Sequence, residues 1–223
     1  MNTTVYLIRH SVRMNRSEIE TYKTIQPQYL RDEKIILSSE GEKRAKILAN
    51  QEELNNIDII YVSNFVRTLQ TAKYMMEKEG LKANIDERLN ERLVGKSNDD
   101  IYPDWFTRQY TDENYSTIGG ESQKQVRERM YECVEEIVKA NSGKRIAIFS
   151  HGYAITFLLL KWCKLDYIDE AKNMKITYND QIIINKKVNS PDVFKIEFDS
   201  EDMKIHSIKN IEFDELTYKD FKD

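Results

Sequence analysis

Short apolar runs alternate along the chain with longer amphipathic ones. Residues 4–8 are β-branched, aromatic or apolar, hold neither Gly nor Pro, and stop at Arg9-His10, which predicts a buried strand. Residues 57–62 and 145–150 have the same character, the second running directly into His151-Gly152, and residues 83–85 are a weaker case. Between them, apolar residues recur three and four apart, the helical spacing. Ser38 or Ser39, followed by acidic residues, opens a helix with Ala45, Leu48 and Ala49 on one face. Ser63 is placed to cap a helix over 64–79 that carries Val66, Leu69, Ala72, Tyr74 and Met76 and ends at Gly80. Residues 121–140 form a third helix and residues 153–164 a fourth. The polar stretch 14–34 predicts an irregular, partly helical insertion. Residues 93–120 combine Gly95, Pro103, Gly119 and Gly120 with Trp105, Phe106, Tyr110 and Tyr115. They predict either a lid over a pocket or a satellite cluster that only packs. Residues 181–187 and 193–198 predict an edge hairpin around Asn189-Ser190-Pro191, and the charged tail 200–223 is expected to be peripheral.

Strands alternating with helices predict an α/β fold. The expected architecture is a three-layer sandwich with a mostly parallel central sheet flanked by helices, plus the lid insertion and the edge hairpin, in a single domain over 1–223. Composition changes little here: 40% hydrophobic and 32% charged residues fit a globular chain. The net charge of −4 gives no reason to expect a nucleic-acid or acidic-membrane partner. Cys133 and Cys163 lack metal or redox spacing and read as core thiols of a reducing cytosol. The first strand begins too near Met1 for a secretory signal, and the apolar run 154–160 is too short to span a bilayer. A cytoplasmic location is expected.

In a parallel sheet all carboxyl ends lie on one side, where ligands bind. Three strands deliver polar groups there: Arg9-His10, Ser63 with Arg67 one turn on, and Ser150-His151. Two of the 3 histidines thus sit directly after apolar strands, and the remaining one, His206, is expected to be structural or solvated. Arg67 falls in a first helical turn, where N–H groups and the helix dipole favour an anion, and the Arg fork matches phosphate oxygens. Guanidinium groups gathered around an imidazole repel one another unless an anion offsets them. The plainer alternative is that each pairs with a nearby carboxylate. The favoured reading makes His10 a nucleophile in an anion pocket, with Asp86, Glu87 and Glu91 as candidates for proton transfer. No metal-ligand cluster is visible, so metal-independent chemistry without a cofactor is expected.

Six stretches then occur in one order: Arg9-His10 after the first strand, Leu37-Ser38-Ser39-Glu40-Gly41, residues 63–72 (SNFVRTLQTA), Leu89-Asn90-Glu91-Arg92 with Gly95, Gly119-Gly120-Glu121-Ser122, and Phe149-Ser150-His151-Gly152. Together they resemble the histidine phosphatase superfamily, which includes the cofactor-dependent phosphoglycerate mutases. The resemblance runs from about Val5 to Leu160. It implies that His10 attacks phosphorus and carries a phosphohistidine, that Arg9, Arg67 and His151 hold the phosphoryl oxygens, and that Glu91, rather than Asp86 or Glu87, protonates the leaving oxygen and then activates water. Three departures stand out. Ser11 replaces the usual Gly and would crowd the pocket or offer its hydroxyl to the ligand. Val12 stands where the mutase-like branch has a carboxylate or amide, and Arg16 about where it has an Asn. Arg13 is similar to the acid-phosphatase branch, where an Arg at this spacing binds phosphate. The leading expectation is a phosphomonoester hydrolase acting on a small phosphorylated metabolite. The alternatives are a phosphoglycerate mutase, with Arg92 on a substrate carboxylate, and a phospholigand-binding protein without turnover.

Overall fold

The structure, a computed structural model, describes residues 1–15, 28–96 and 103–212. In chain order the elements are β1 (Asn2–Arg9), α1 (Gln28–Lys34), α2 (Ser39–Ala49), β2 (Ile59–Val62), α3 (Val66–Glu79), β3 (Ala83–Ile85), α4 (Trp105–Thr111), α5 (Gln123–Ala140), β4 (Arg145–Ser150), α6 (Gly152–Leu159), β5 (Lys164–Ile168), β6 (Met174–Tyr178), β7 (Gln181–Lys186), β8 (Val193–Asp199) and β9 (Ile205–Ile211). A 3₁₀ turn at Glu87–Leu89 leads into Glu91.

The main sheet has the order β3-β2-β4-β1-β8-β9. The first four of these strands run parallel, and β8 and β9 complete the sheet antiparallel. Side chains of β1 alternate between two layers. Val5 and Leu7 pack with α5 and α6, whereas Tyr6 and Ile8 pack with α2 and α3, all four fully buried. Burial on both faces explains why β1 reads as an unbroken apolar run. Each such aliphatic side chain contributes about 1.5–3 kcal/mol. Register then aligns the strand ends: Arg9 lies opposite Ser150 on β4, and Val62 of β2 lies opposite Phe149. Residues 10, 63 and 151 therefore leave the sheet at one edge. The expected three-layer α/β architecture is the one observed.

Local signals explain most helix ends. Ser38 caps α2, its Oγ accepting from Gly41 N at 3.1 Å, and Ser122 forms a capping box with Gln125 at the start of α5. Helix α3 ends at Gly80 in the left-handed conformation (φ 66°). Gly41 answers a different need. A Cβ there would lie 1.9 Å from the carbonyl oxygen of Val12, so α2 can close on the segment after β1 only without a side chain.

Several expectations are corrected. Residues 181–187 and 193–198 do not pair with each other. β7 pairs with β6 in a separate three-stranded sheet, β5-β6-β7, while β8 lies between β1 and β9. The edge hairpin exists, but it is β8–β9. Val193, Phe194, Ile196 and Phe198 are buried, so β8 needs a covered position, and β9 supplies the cover from the tail that was expected to be peripheral. His206 and Lys209 of β9 are exposed on either side of buried Ile208 and interrupt its apolar pattern. The predicted helix 153–164 ends at Leu159, and Lys164 begins β5. Helix α3 begins at Val66, and its cap position, Phe65, makes no side-chain cap bond. Ser63 has another use, described below. Of the predicted insertion, residues 28–34 form α1; residues 16–27, Arg16 among them, and residues 97–102 and 213–223 lie outside the described residues. Cys133 and Cys163 are buried and free, and burial pushes both thiols up to about 12. Among the described residues no helix is long and apolar enough to cross a membrane.

Candidate active site

His10 is the first residue beyond β1 and is 4% exposed. Its Nδ1 lies 2.7 Å from the carbonyl oxygen of Ser11. A carbonyl can only accept, so Nδ1 carries the proton and Nε2 keeps its lone pair. Burial pushes the His10 pKa well below the usual histidine value, and Arg67 and Arg9 push it the same way. The free protein thus holds a neutral imidazole with its basic nitrogen directed away from the backbone.

His151 lies edge-on to His10, with ring centroids 5.2 Å apart. Arg67 Nη2 donates to His151 Nδ1 at 3.0 Å, which places the His151 proton on Nε2. That proton goes to Ser63 Oγ at 2.8 Å, and Ser63 in turn meets Thr68 Oγ1 at 2.9 Å. Ser63 is therefore tied to the second imidazole instead of capping α3. Burial is the main reason the His151 pKa also lies well below normal, with Arg67 next. Phe65 wedges the pair: its ring lies 4.8 Å from that of His151 and 4.6 Å from the Arg67 guanidinium carbon. Arg67 Nη1 donates to the Asp32 carbonyl at 2.6 Å, so α1 helps orient it.

Arg9 is held from the other side. Its Nη1 donates to the carbonyl oxygens of Val188 and Asn189, on the connection from β7 to β8. Glu91 enters from the loop after the 3₁₀ turn. Its Oε1 accepts from Arg92 N at 2.9 Å and Ala154 N at 3.1 Å, and Oε2 from Tyr153 N at 3.4 Å. The carboxylate thus sits on the N-terminal turn of α6. Arg129 holds this loop by donating to the carbonyls of Arg88 and Asn90 while pairing with Glu121 at 2.7 Å. Asp86, a rival of Glu91 for proton transfer, is engaged by Arg88 at 2.8 Å and does not line the cavity; neither does Glu87.

These groups line one cavity of about 550 Å³. His10, Arg9, Arg13, Arg67 and Glu91 are on its wall, and His151 stands behind, fully buried. Ser11 is not on the wall. It is fully buried, its N–H donates to Thr71 Oγ1 at 3.0 Å, and its hydroxyl has no partner among the described residues. The structure thus places the Ser11 side chain away from the wall, where crowding or ligand contact was expected. Seven lining residues are Arg or Lys and two are Asp or Glu, so an acidic chain presents a cationic interior suited to an anion.

The described parts of the 93–120 segment, residues 93–96 and 103–120, supply both cavity wall and packing. Phe106 and Tyr110 of α4 face the cavity and are nearly buried, Tyr110 against Phe157 at 5.0 Å. The β5–β6 connection clasps α4: Thr107 Oγ1 donates to Glu170 Oε1 at 2.7 Å, and Lys172 Nζ lies 5.2 Å over the Phe106 ring. Arg92 is 2% exposed. Its Nε donates to Glu121 O and its Nη1 to Gln109 Oε1, while Nη2 has no partner among the described residues. Sequence reasoning passed over Arg129, Lys172, Met174 and Lys187, because only pairing of distant segments brings them here.

Several known proteins are similar to this chain in sequence or in fold. A phosphoserine phosphatase 1 of Hydrogenobacter thermophilus is 28% identical over 145 residues, 61% of this chain and 67% of that protein. A probable phosphoglycerate mutase of Yersinia enterocolitica is 27% identical over 163 residues, 70% of this chain and 72% of that one. A solved mycobacterial glucosyl-3-phosphoglycerate phosphatase superposes with a TM-score of 0.66 at 19% identity, covering 95% of this chain and 100% of its own, which speaks to the fold. The family model of the histidine phosphatase superfamily, branch 1, matches residues 5–187, and with more than half of its length inside that match the chain belongs to the histidine phosphatase superfamily.

Proposed function

We propose that the protein hydrolyses phosphomonoesters of small metabolites through a phosphohistidine on His10 Nε2. The observation that carries this reading is the hydrogen bond from His10 Nδ1 to the Ser11 carbonyl, which leaves a neutral imidazole with its lone pair free beside Arg9 and Arg67. Phosphoryl transfer asks mainly for positioning and charge stabilisation. Arg9, Arg67 and Arg13 at the mouth would receive the phosphoryl oxygens. The added negative charge favours a protonated His151, whose Nδ1–H then replaces the Arg67 contact and also faces the phosphoryl group.

The proton balance closes with Glu91. A monoester monoanion carries one proton, since its second ionisation is near pH 6, at about 6. That proton passes to Glu91. As the N–P bond forms and the P–O bond breaks, Glu91 returns it to the leaving oxygen. A water then gives a proton to Glu91 and attacks phosphorus, the P–N bond breaks to free His10, and Glu91 passes that proton to the departing phosphate, which restores the ionised carboxylate. The guanidinium groups supply the charge that metal ions supply elsewhere.

Arg92 bears on the substrate. Its unengaged Nη2 in the same cavity suits a carboxylate, and the similar proteins are named for phosphoserine, phosphoglycerate or glucosyl-3-phosphoglycerate. A phosphorylated carboxylic acid is accordingly the favoured substrate. The same feature suits the mutase reading, which interconversion of 2- and 3-phosphoglycerate with the bisphosphate would reveal. The reading without turnover rested on Ser11 and Val12, and neither side chain is on the cavity wall.

The test is release of phosphate from p-nitrophenyl phosphate and from a panel of phosphorylated carboxylic acids, with chelator present. Turnover with an acid-labile phosphoprotein that disappears in His10→Ala is the expected result. Full activity in His10→Ala would overturn the reading.

A further inference from the structure

Asp192 is a buried carboxylate that the chemistry above does not use. It is 5% exposed and lies on the connection between β7 and β8. Four hydrogen bonds join it, the turn before β8 and Arg9. Arg9 N donates to Asp192 O at 2.9 Å. Asn189 N donates to Asp192 Oδ2 at 3.1 Å. Asn189 O, at 3.0 Å, and Val188 O accept from Arg9 Nη1. The same aspartate therefore ties the backbone of Arg9 and the turn that grips its side chain.

We infer that Asp192 is a positioning residue for phosphoryl transfer: its carboxylate fixes the 188–192 turn so that Arg9 presents its guanidinium to the phosphoryl group. Arg9 alone could adopt many rotamers, and two carbonyls at one point select one of them. Those carbonyls are themselves in a connection between two different sheets, which has no ladder bonds of its own to hold it. The Asn189–Asp192 bond supplies that order. The carboxylate also faces Arg9, Lys186 and Asn210, so its charge favours the cation it places. Nothing in the sequence pointed here, because Asp192 is far from every motif in the chain.

The inference rests on the phosphatase reading for its rates but not for its binding arm. Hydrolysis of p-nitrophenyl phosphate and binding of orthovanadate are measured for wild type, Asp192→Ala, Asp192→Asn, Arg9→Ala and the Arg9→Ala/Asp192→Ala double variant. Misplacing a charge-stabilising group by about 1 Å can lower rates by about 100-fold. Asp192→Ala is therefore expected to lose about 10- to 100-fold in kcat/KM, mostly in kcat, and to bind vanadate correspondingly more weakly. Asp192→Asn keeps an acceptor for Asn189 N and should recover most of the loss. In the Arg9→Ala background the Asp192→Ala change should have no further effect. Should Asp192→Ala fail to fold, Asn189→Pro removes the same bond from the donor side and takes its place. An undiminished penalty in the Arg9→Ala background, or wild-type behaviour of Asp192→Ala, overturns the inference. If wild type hydrolyses no ester while vanadate affinity still follows this pattern, the phosphatase reading falls and the positioning role stands. If wild type binds no vanadate, both fall.

Discussion

Ser11 illustrates how far a single residue can be judged before its neighbours are known. In sequence it adjoins the proposed nucleophile and invites a role at the ligand. In the fold its carbonyl does the work, holding His10 Nδ1, while its hydroxyl is buried with no partner among the described residues. A buried, unpaired polar group costs about 1–3 kcal/mol. Ser11→Ala should therefore raise stability by about 1 kcal/mol in urea unfolding, and hydrolysis should persist because the carbonyl remains. A loss of stability in that variant would mean that the hydroxyl is satisfied after all. Arg67 was readable from its place in a first helical turn, but its contact with His151 Nδ1 was not, since that bond joins residues 84 apart in sequence.

At the scale of elements, glycines separate two kinds of constraint. Gly41 is needed because the carbonyl of Val12 occupies the place of a Cβ, whereas Gly80 has a positive φ with open space around it. Gly80→Ala should cost about 1 kcal/mol, the strain of the left-handed conformation. Gly41→Ala forces α2 off the segment after β1 and should cost more, about 3 kcal/mol, an overpacking penalty at the upper end of its usual range. Because that segment carries Ser11 and His10, Gly41→Ala should also lower hydrolysis, whereas Gly80→Ala should not. Thermal melting and the p-nitrophenyl phosphate assay order the two. Strands and helices whose burial is one-sided or complete were legible from periodicity, as β1, β4 and α5 show. β9 and the three-stranded sheet were not, because their alternation is interrupted by Lys and Asp on the open face and their partners are set by long-range pairing.

For the whole molecule, two buried neutral imidazoles make stability depend on pH. Both His10 and His151 have pKa values lowered well below normal by burial and then by Arg67. In the unfolded chain each titrates near 6.5, at about the ordinary histidine value. Below that pH the unfolded chain binds more protons than the folded one, so stability falls as pH drops. Two such groups give a slope of up to about 2.7 kcal/mol per pH unit between the unfolded and folded pKa values. Urea unfolding should therefore show full stability above about pH 7 and a steep loss below about pH 6. Replacing either imidazole by an amide, as in His151→Gln, should lessen the slope, and a profile that stays flat would contradict the neutral pair. Orthophosphate should oppose the loss, because an anion beside the imidazoles favours their charged forms.

The linear order of residues determined which local structures form and which chemical groups stand at their ends. Apolar runs of strand length ending in Arg9-His10 and Ser150-His151, and a helix with Arg67 in its first turn, follow from side-chain spacing and from caps, which act over a few residues. Tertiary structure decided what those groups do to one another. Parallel register brought residues 10, 63 and 151 to one edge, the turn before β8 gripped Arg9, and the backbone at Ser11 chose the tautomer of His10. These outcomes depend on contacts between segments tens to hundreds of residues apart. Such contacts are selected by how whole faces bury together, and no local pattern encodes that.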